Sequence, residues 1–176
     1  FVTPGNNDVA VLMEDFLRTA SGRTLQPAGS ISSLCGWGIW QDAWLIERPD
    51  VYVSDATVRT SVANRTIDAY LQVHNTTSRK RSVTVHPSIV EWERGRDSES
   101  QAPVLELPSN TMLLLPGEIR KMKLTREWPS AALWSPESPR LYHLRLVMIE
   151  DGRETTRAYE RFGFRDVGAD GDGIIL

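Results

Sequence analysis

Apolar and polar residues alternate with a period of two in successive short runs, and this pattern constrains the fold most. From Ile67 to His74, every second side chain is apolar and those between are mostly polar. Successive side chains of a β-strand point to opposite faces, so the run predicts a strand with one buried face. No run shows the spacing of a long amphipathic helix. The chain is therefore predicted to be all-β.

Similar runs separated by turn signals continue from Pro49 to about Val167. Pro116-Gly117 predicts a type II turn and Asp151-Gly152 a two-residue hairpin turn. His86-Pro87 predicts a bulge or an edge position, because proline cannot donate to a strand ladder. The polar segment 93–100 predicts a loop between sheets. The predicted strands are 51–62, 67–74, 80–92, 111–115, 119–125, 142–148 and 154–164. This spacing predicts a two-sheet antiparallel β-sandwich of immunoglobulin type.

The first 48 residues follow a different pattern. Strands are predicted at 9–14 and 39–46, and the segment 19–36 between them is rich in Ser, Gly and Pro. Two strands do not form a stable sheet alone. This portion is therefore either the end of a jelly roll or a segment that packs against the sandwich.

Charge, cysteine content and hydropathy exclude several classes of function. The chain has 20 basic and 23 acidic residues, so it offers no broad positive field for nucleic acid, and the basic run 79–81 is interpreted as a solvated turn. Cys35 is the single cysteine, which allows neither an internal disulfide nor a structural zinc site and is interpreted as a small packed residue. No apolar run predicts a membrane span, and the opening FVTPG predicts no signal peptide.

No catalytic, cofactor or metal site is expected from the side chains able to do acid–base or metal chemistry. Glu91 and Glu93 would share one strand face and are interpreted as solvated. Asp170 and Asp172 lack the downstream acid that completes a calcium loop and are interpreted as linker. The histidines fall on different predicted strands without ligand spacing. Two asparagines lie in glycosylation sequons. The histidines are His74, His86 and His143, and the asparagines are Asn64 and Asn75.

Three tryptophans, Trp37, Trp40 and Trp44, lie within eight residues. An exposed aromatic platform that stacks on sugar rings is one interpretation. The other is packing, since Trp40, Asp42 and Trp44 would share one face of a strand against the neighbouring module. Packing is favoured, and carbohydrate contact by the three tryptophans is kept as the alternative.

Several motifs along the chain resemble those of the family 2 glycoside hydrolases, which include β-galactosidases, β-glucuronidases and β-mannosidases. The motifs are GIWQDAWL at 38–45 followed by PDVYV at 49–53, LWSPESPRLY at 133–142 with FGFR at 162–165, and PGNNDV at 4–9. In LWSPESPRLY and FGFR, the aromatic residues Trp134, Phe162 and Phe164 are interpreted as structural. Gly163 is expected to allow close backbone approach.

The resemblance implies a domain order of jelly roll, immunoglobulin-like sandwich and (β/α)₈ barrel, with both catalytic glutamates on the barrel. It assigns residues 1–48 to the end of the jelly roll, 49–167 to the sandwich, and 168–176 to a linker or first strand toward a barrel that this chain lacks. The family's usual Arg is Gln41 here, its following Val is Ala43, and residues 32–37 contain no acid. No substrate contact is therefore transferred to this chain.

Three functions remain open at this point. The chain is interpreted first as the non-catalytic part of a retaining β-glycosidase that braces the barrel and shapes its cleft. The alternatives are an independent carbohydrate-binding module and a cell-surface protein of immunoglobulin type. The expected partner is the barrel of the same parent chain, with carbohydrate and a second copy as further candidates and neither nucleic acid nor membrane expected. A periplasmic or extracellular location is favoured over a cytoplasmic one.

Overall fold

A computed structural model of the chain describes residues 5, 8–12, 39, 42–44, 46–170 and 173–175. The chain divides into two compact units, Phe1–Ile46 and Glu47–Leu176. In the first unit, residues 9–12 and 42–44 fall within predicted strands but are not paired into a sheet. Two short strands are too few for a stable sheet. The rest of the jelly-roll prediction lies outside the described residues.

The described part of the second unit is built from β-strands, and the described residues contain no helix. Accordingly, none of them forms a helix able to cross a membrane. The strands are β1 (Val51–Ser61), β2 (Thr66–Asn75), β3 (Arg81–Trp92), β4 (Leu105–Glu106), β5 (Asn110–Leu114), β6 (Ile119–Glu127), β7 (Leu141–Glu150), β8 (Arg153–Phe162), β9 (Gly168–Asp170) and β10 (Gly173–Ile175).

Two antiparallel sheets form the sandwich, as the sequence predicts. Sheet A has the order β1-β2-β6, and sheet B has the order β8-β7-β3, with β4 and β5 both pairing with the far side of β3. The short strands β9 and β10 form a separate antiparallel hairpin. Every strand pair described is antiparallel. The all-β fold class is confirmed.

The core lies between the two sheets and consists of the alternating apolar residues. In β2 the residues at 67, 69, 71, 73 and 75 are buried while those between are partly exposed. The same alternation appears in β7, where Tyr142, Leu144, Leu146 and Met148 are buried. Each large aliphatic side chain removed from water contributes about 1.5–3 kcal/mol. The period of two therefore fixes which face of each strand turns inward.

Both predicted turns have the expected backbone geometry. Gly117 has a φ of +68°, and Glu118 donates its N–H to the Leu115 carbonyl at 3.1 Å, as in a type II turn. Asp151 and Gly152 both have positive φ, of 50° and 74°, which is the type I′ geometry of a two-residue hairpin. The two turns connect β5 to β6 and β7 to β8, as the sequence predicts.

The prediction for Pro87 is wrong in its form, because β3 is a central strand of sheet B. Its pairing with β7 runs without a register shift through Pro87. On the other side of β3, β5 pairs as far as Val85 and β4 pairs from Ser88 onward, which leaves Pro87 without a paired residue. The Pro87 carbonyl accepts from Leu107 N at 3.0 Å on this side. The backbone N and O of a strand residue point to the same side. The Pro87 nitrogen, which carries no hydrogen, therefore faces the gap between β5 and β4, and no hydrogen bond to β7 is lost.

Two further predictions need correction. The segment 93–100 is a loop, but it connects β3 to β4 within sheet B rather than joining two sheets. Of the basic run, Arg79 and Lys80 are exposed in a turn, whereas Arg81 begins β3 and forms ion pairs with Glu150 and Asp50. The two carboxylates that pair with Arg81 lie at other strand ends that are distant in sequence. The local run of basic residues therefore gives no sign of these ion pairs.

Candidate functional site

A mainly apolar cleft lies at the end of the sandwich where the chain leaves β8. This cleft has a volume of about 430 Å³. It is bounded by the β1–β2 turn, by the crossover between β6 and β7, and by residues 163–168, here called the exit segment. The lining residues are Val62, Ala63, Leu133, Trp134, Phe164, Arg165, Asp166, Val167 and Gly168. The two predicted motifs at 133–142 and 162–165 therefore meet at one place.

Trp134 is held against the backbone of the exit segment. A Cβ built on Gly163 would lie 2.8 Å from Trp134 Cγ and 2.9 Å from both its Cβ and Cδ1. The Trp134 N–H donates to the Phe164 carbonyl at 3.0 Å, and the Arg165 guanidinium lies 4.4 Å from the indole ring centroid. The close backbone approach predicted for Gly163 is thus present, and its partner is Trp134.

Behind the cleft, the core is closed by an aromatic cluster. Trp128 lies edge-on to Tyr142 at 4.8 Å and to Phe164 at 5.6 Å between ring centroids, and all three are buried. The Tyr142 hydroxyl accepts from Ala132 N at 3.1 Å, and burial raises the pKa of this tyrosine. Sequence reasoning missed Trp128. Its position before Pro129 at the end of β6 resembles the Trp-Ser-Pro motif and is the signal that could have found it.

The exit segment is clamped to the end of β1 by two side chains. The Thr60 hydroxyl donates to the Arg165 carbonyl at 2.5 Å and accepts from Arg165 N at 3.3 Å. The Val62 N–H donates to both carboxylate oxygens of Asp166 at 3.0 Å. These contacts join residues more than a hundred positions apart in sequence. They fix the direction in which the backbone leaves the sandwich.

The described cleft offers little for acid–base or metal chemistry. Asp166 is its one carboxylate, and both of its oxygens accept from Val62. Glu91 and Glu93 are exposed at a smaller pocket of about 150 Å³. Among the residues that the structure describes, no group of three or more His, Cys, Asp or Glu side chains could hold a metal ion. The described lining of the cleft is thus mainly apolar.

The other residues considered in the sequence analysis do not line this cleft. The histidines pair separately with Tyr52, Ser109 and Ser98. Asn75 is fully buried and donates to two backbone carbonyls, whereas Asn64 is exposed in the β1–β2 turn. Trp44 is 79 % exposed. Asp170 lies in β9, while Trp37, Trp40, Cys35 and Asp172 lie outside the described residues. The sugar-platform prediction therefore remains untested.

The sandwich coincides with a family-specific sequence pattern. The model of the family described as glycosyl hydrolases family 2 matches residues 51–165, about two thirds of the chain. The chain belongs to glycosyl hydrolase family 2. None of the curated proteins matches it significantly.

Solved structures of family 2 enzymes share the fold at low sequence identity. A β-galacturonidase from Eisenbergiella tayi is 24 % identical with a TM-score of 0.55, covering 73 % of this chain and 21 % of its own. A β-glucuronidase from Bacteroides uniformis is 17 % identical (TM-score 0.51; 71 % and 14 %). A putative β-galactosidase from Bacteroides fragilis is 19 % identical (TM-score 0.52; 72 % and 18 %). The chain thus spans about a fifth or less of the length of these relatives.

Proposed function

We propose that this family 2 chain is a non-catalytic part of a larger glycoside hydrolase, and that its cleft receives the catalytic barrel of the same parent. The apolar cleft beside the exit segment is the observation that carries this proposal. Leu133 is 40 % exposed and Val167 is 61 % exposed at its rim. Apolar side chains grouped at a concavity favour contact with another protein surface.

The clamp on the exit segment supports a bracing role. Thr60 and Asp166 hold the backbone to β1 up to the point where the hairpin β9-β10 begins. A domain joined through a free linker moves relative to its neighbour unless the interface is large and apolar. Here the segment leaves in a set direction directly beside apolar surface. A following barrel would be restricted in orientation before it makes any contact.

The proposed reaction of the parent is hydrolysis of O-glycosidic bonds with retention at the anomeric carbon. A retaining glycosidase needs two carboxyl groups about 5–5.5 Å apart, one as nucleophile and one as acid and base. The cleft supplies no such pair. Both groups are assigned to the barrel, and the role of this chain is to position that barrel and shape the rim of its active site.

Disruption of the cleft in the parent protein that carries the barrel tests the proposal. Val167→Asp places a charge at the cleft rim, and we expect lower thermal stability and lower glycosidase activity of the parent. The same substitution should leave the isolated 176-residue chain as stable as before, because Val167 is largely exposed there. Leu113→Asp is the matched control, since Leu113 is 55 % exposed on β5, at the other end of the sandwich. Equal effects of the two variants on the parent, or glycosidase turnover by the purified chain alone, would contradict the proposal.

A second candidate is carbohydrate binding through Trp37, Trp40 and Trp44. The exposure of the Trp44 side chain favours it, because a stacking platform must be open to solvent. Titration of the chain with oligosaccharides, followed by tryptophan fluorescence and calorimetry, distinguishes the two candidates. No binding at millimolar sugar supports bracing alone. Saturable binding that is lost in Trp40→Ala or Trp44→Ala supports the carbohydrate-binding module.

A further inference from the structure

Residues 93–104, here called the strap, connect β3 to β4 and cross the outer face of sheet B, which is turned away from the core. Ser88 and Val90 lie on this face and are buried, although neither belongs to the core cluster. Ser98, on the strap, is itself buried. The strap therefore covers a second, small interior outside the sandwich.

Arg145 on β7 is the main attachment of the strap. Its guanidinium donates to the Glu99 carbonyl at 3.4 Å, to the Gln101 carbonyl at 3.1 Å and to the Ser88 hydroxyl at 3.1 Å. At the outer edge, Arg157 on β8 forms an ion pair with Glu99 at 3.7 Å. Arg145 thus binds the backbone of the strap, and Arg157 binds the carboxylate of Glu99.

The third attachment is a hydrogen bond at 2.9 Å between His143 Nδ1 and the Ser98 hydroxyl. The imidazole ring lies 6.3 Å from the ring of Trp92 and 5.6 Å from that of Tyr159, centroid to centroid. Arg161 is its cross-strand neighbour on β8. The half-buried ring is therefore bordered by two aromatic side chains and a serine, beside a fixed positive charge.

The charges around this ring do not favour an imidazolium. On the same face lie Arg145 on β7, and Tyr159, Arg157 and Arg161 on β8. Beside the ring β3 contributes only Ser88, Val90 and Trp92. On the strap, Glu99 pairs with Arg157, Glu93 pairs with Arg96, and Asp97 accepts from the strap's own Glu99 N–H. No carboxylate is within ion-pair distance of His143 in the described residues. Burial, and secondly Arg161, lowers the pKa of His143 below 6.5.

We propose that the strap is a pH-sensitive latch, and that protonation of His143 releases it from sheet B. Opening exposes the half-buried imidazolium to more water and screens it from the arginines, so the open state binds the proton more readily than the closed state. The imidazolium can still donate to Ser98, and the charge rather than the lost hydrogen bond drives opening. Release uncovers Val90 and the adjoining rings of Trp92 and Tyr159.

The sign and size of the effect follow from proton linkage. Because the closed state holds the lower pKa, closure is favoured above the ordinary pKa of 6.5 and weakens as the pH falls below it. One proton taken up on opening raises the opening equilibrium by up to about tenfold per pH unit. The strap contributes no residue to the core cluster between the two sheets, so the sandwich itself stays folded while the strap opens.

Hydrogen exchange of the full chain at pH 8, 7, 6 and 5, corrected for intrinsic rates, tests the latch. We expect protection of the strap amides to fall several-fold between pH 7 and 5 while β2 and β7 remain protected. In His143→Gln, strap protection should not depend on pH, and Ser98→Ala should lower it already at pH 8.

His86→Gln is the matched control, because His86 Nδ1 also bonds a serine, Ser109, on the same sheet but in an exposed position. This variant should behave as the unmodified chain does. Constant strap protection down to pH 5, the same pH dependence in His143→Gln, or simultaneous loss in β2 and β7 would overturn the proposal.

Discussion

The contact between Gly163 and Trp134 predicts a large effect from a single added methyl group. In Gly163→Ala, the new Cβ meets three atoms of Trp134 at 2.8–2.9 Å, closer than real Cβ contacts. One of these atoms is the Trp134 Cβ, which cannot move without its backbone. Gly163 has no positive φ, so the cost is steric and not conformational. The exit segment or the crossover must therefore shift.

The magnitude is the difference between two effects. Overpacking of a closely packed site costs about 1–3 kcal/mol. Alanine also lowers the entropy of the unfolded chain, which offsets about 0.4–1 kcal/mol. We expect Gly163→Ala to lower the free energy of unfolding by about 1–2 kcal/mol, measured by urea titration with far-UV circular dichroism.

A double-mutant cycle with Trp134→Ala separates the clash from other causes. Trp134→Ala removes two of the three close atoms and the ring that holds the third in place. The cost of Gly163→Ala should be smaller in that background but not zero, because the Cβ of residue 134 remains 2.9 Å from the new methyl group. Gly117→Ala is the control, because nothing lies near its Cβ and its cost arises from its positive φ, so it should be additive with Trp134→Ala. Additivity of Gly163→Ala with Trp134→Ala, or a cost below about 0.5 kcal/mol, would refute the reasoning.

Three further predictions concern the core, the clamp and pH. Leu144→Ala should lower the free energy of unfolding by about 2–5 kcal/mol in urea titration, because Leu144 is fully buried in the core; a loss below 1 kcal/mol would contradict the assigned core. Asp166→Ala should cost only about 0.5–1.5 kcal/mol but speed proteolysis of the exit segment, because Val62 N–H loses its acceptor; unchanged cleavage would contradict the clamp. Because His143 has a lowered pKa in the folded chain, stability should fall as the pH drops through 6.5, and this fall should be smaller in His143→Gln when unfolding is measured at pH 8 and 5.

The strands and their turns were predictable because their signals are local. The alternation in Ile67 to His74 and the Asp151-Gly152 turn each act over a few neighbouring residues. The two-residue strand β4 carries no such pattern and was missed. Its pairing with β3 is flanked by hydrogen bonds from the Val104 and Leu107 N–H groups to the Ile89 and Pro87 carbonyls. A strand held by hydrogen bonds to a distant segment needs no alternation of apolar and polar residues, so two residues of sequence cannot predict it.

The candidate site was predictable only in parts. The motifs at 133–142 and 162–165 identified Trp134 and Gly163 as structural, and the structure brings them into direct contact. The role of Asp166 as a clamp was not predictable, because its partner is the backbone N–H of Val62 in the distant β1–β2 turn. Trp128 gave no signal beyond its neighbouring proline.

By itself the sequence determined the all-β class, the inward face of each main strand and the family, because hydrophobic periodicity and short motifs are properties of adjacent residues. Only the tertiary structure decided which strands are central, where the cleft lies and which groups surround His143. These properties depend on side chains that are far apart in the chain and meet when the two sheets pack. Packing, rather than local preference, therefore sets the chemistry of the cleft and of the strap.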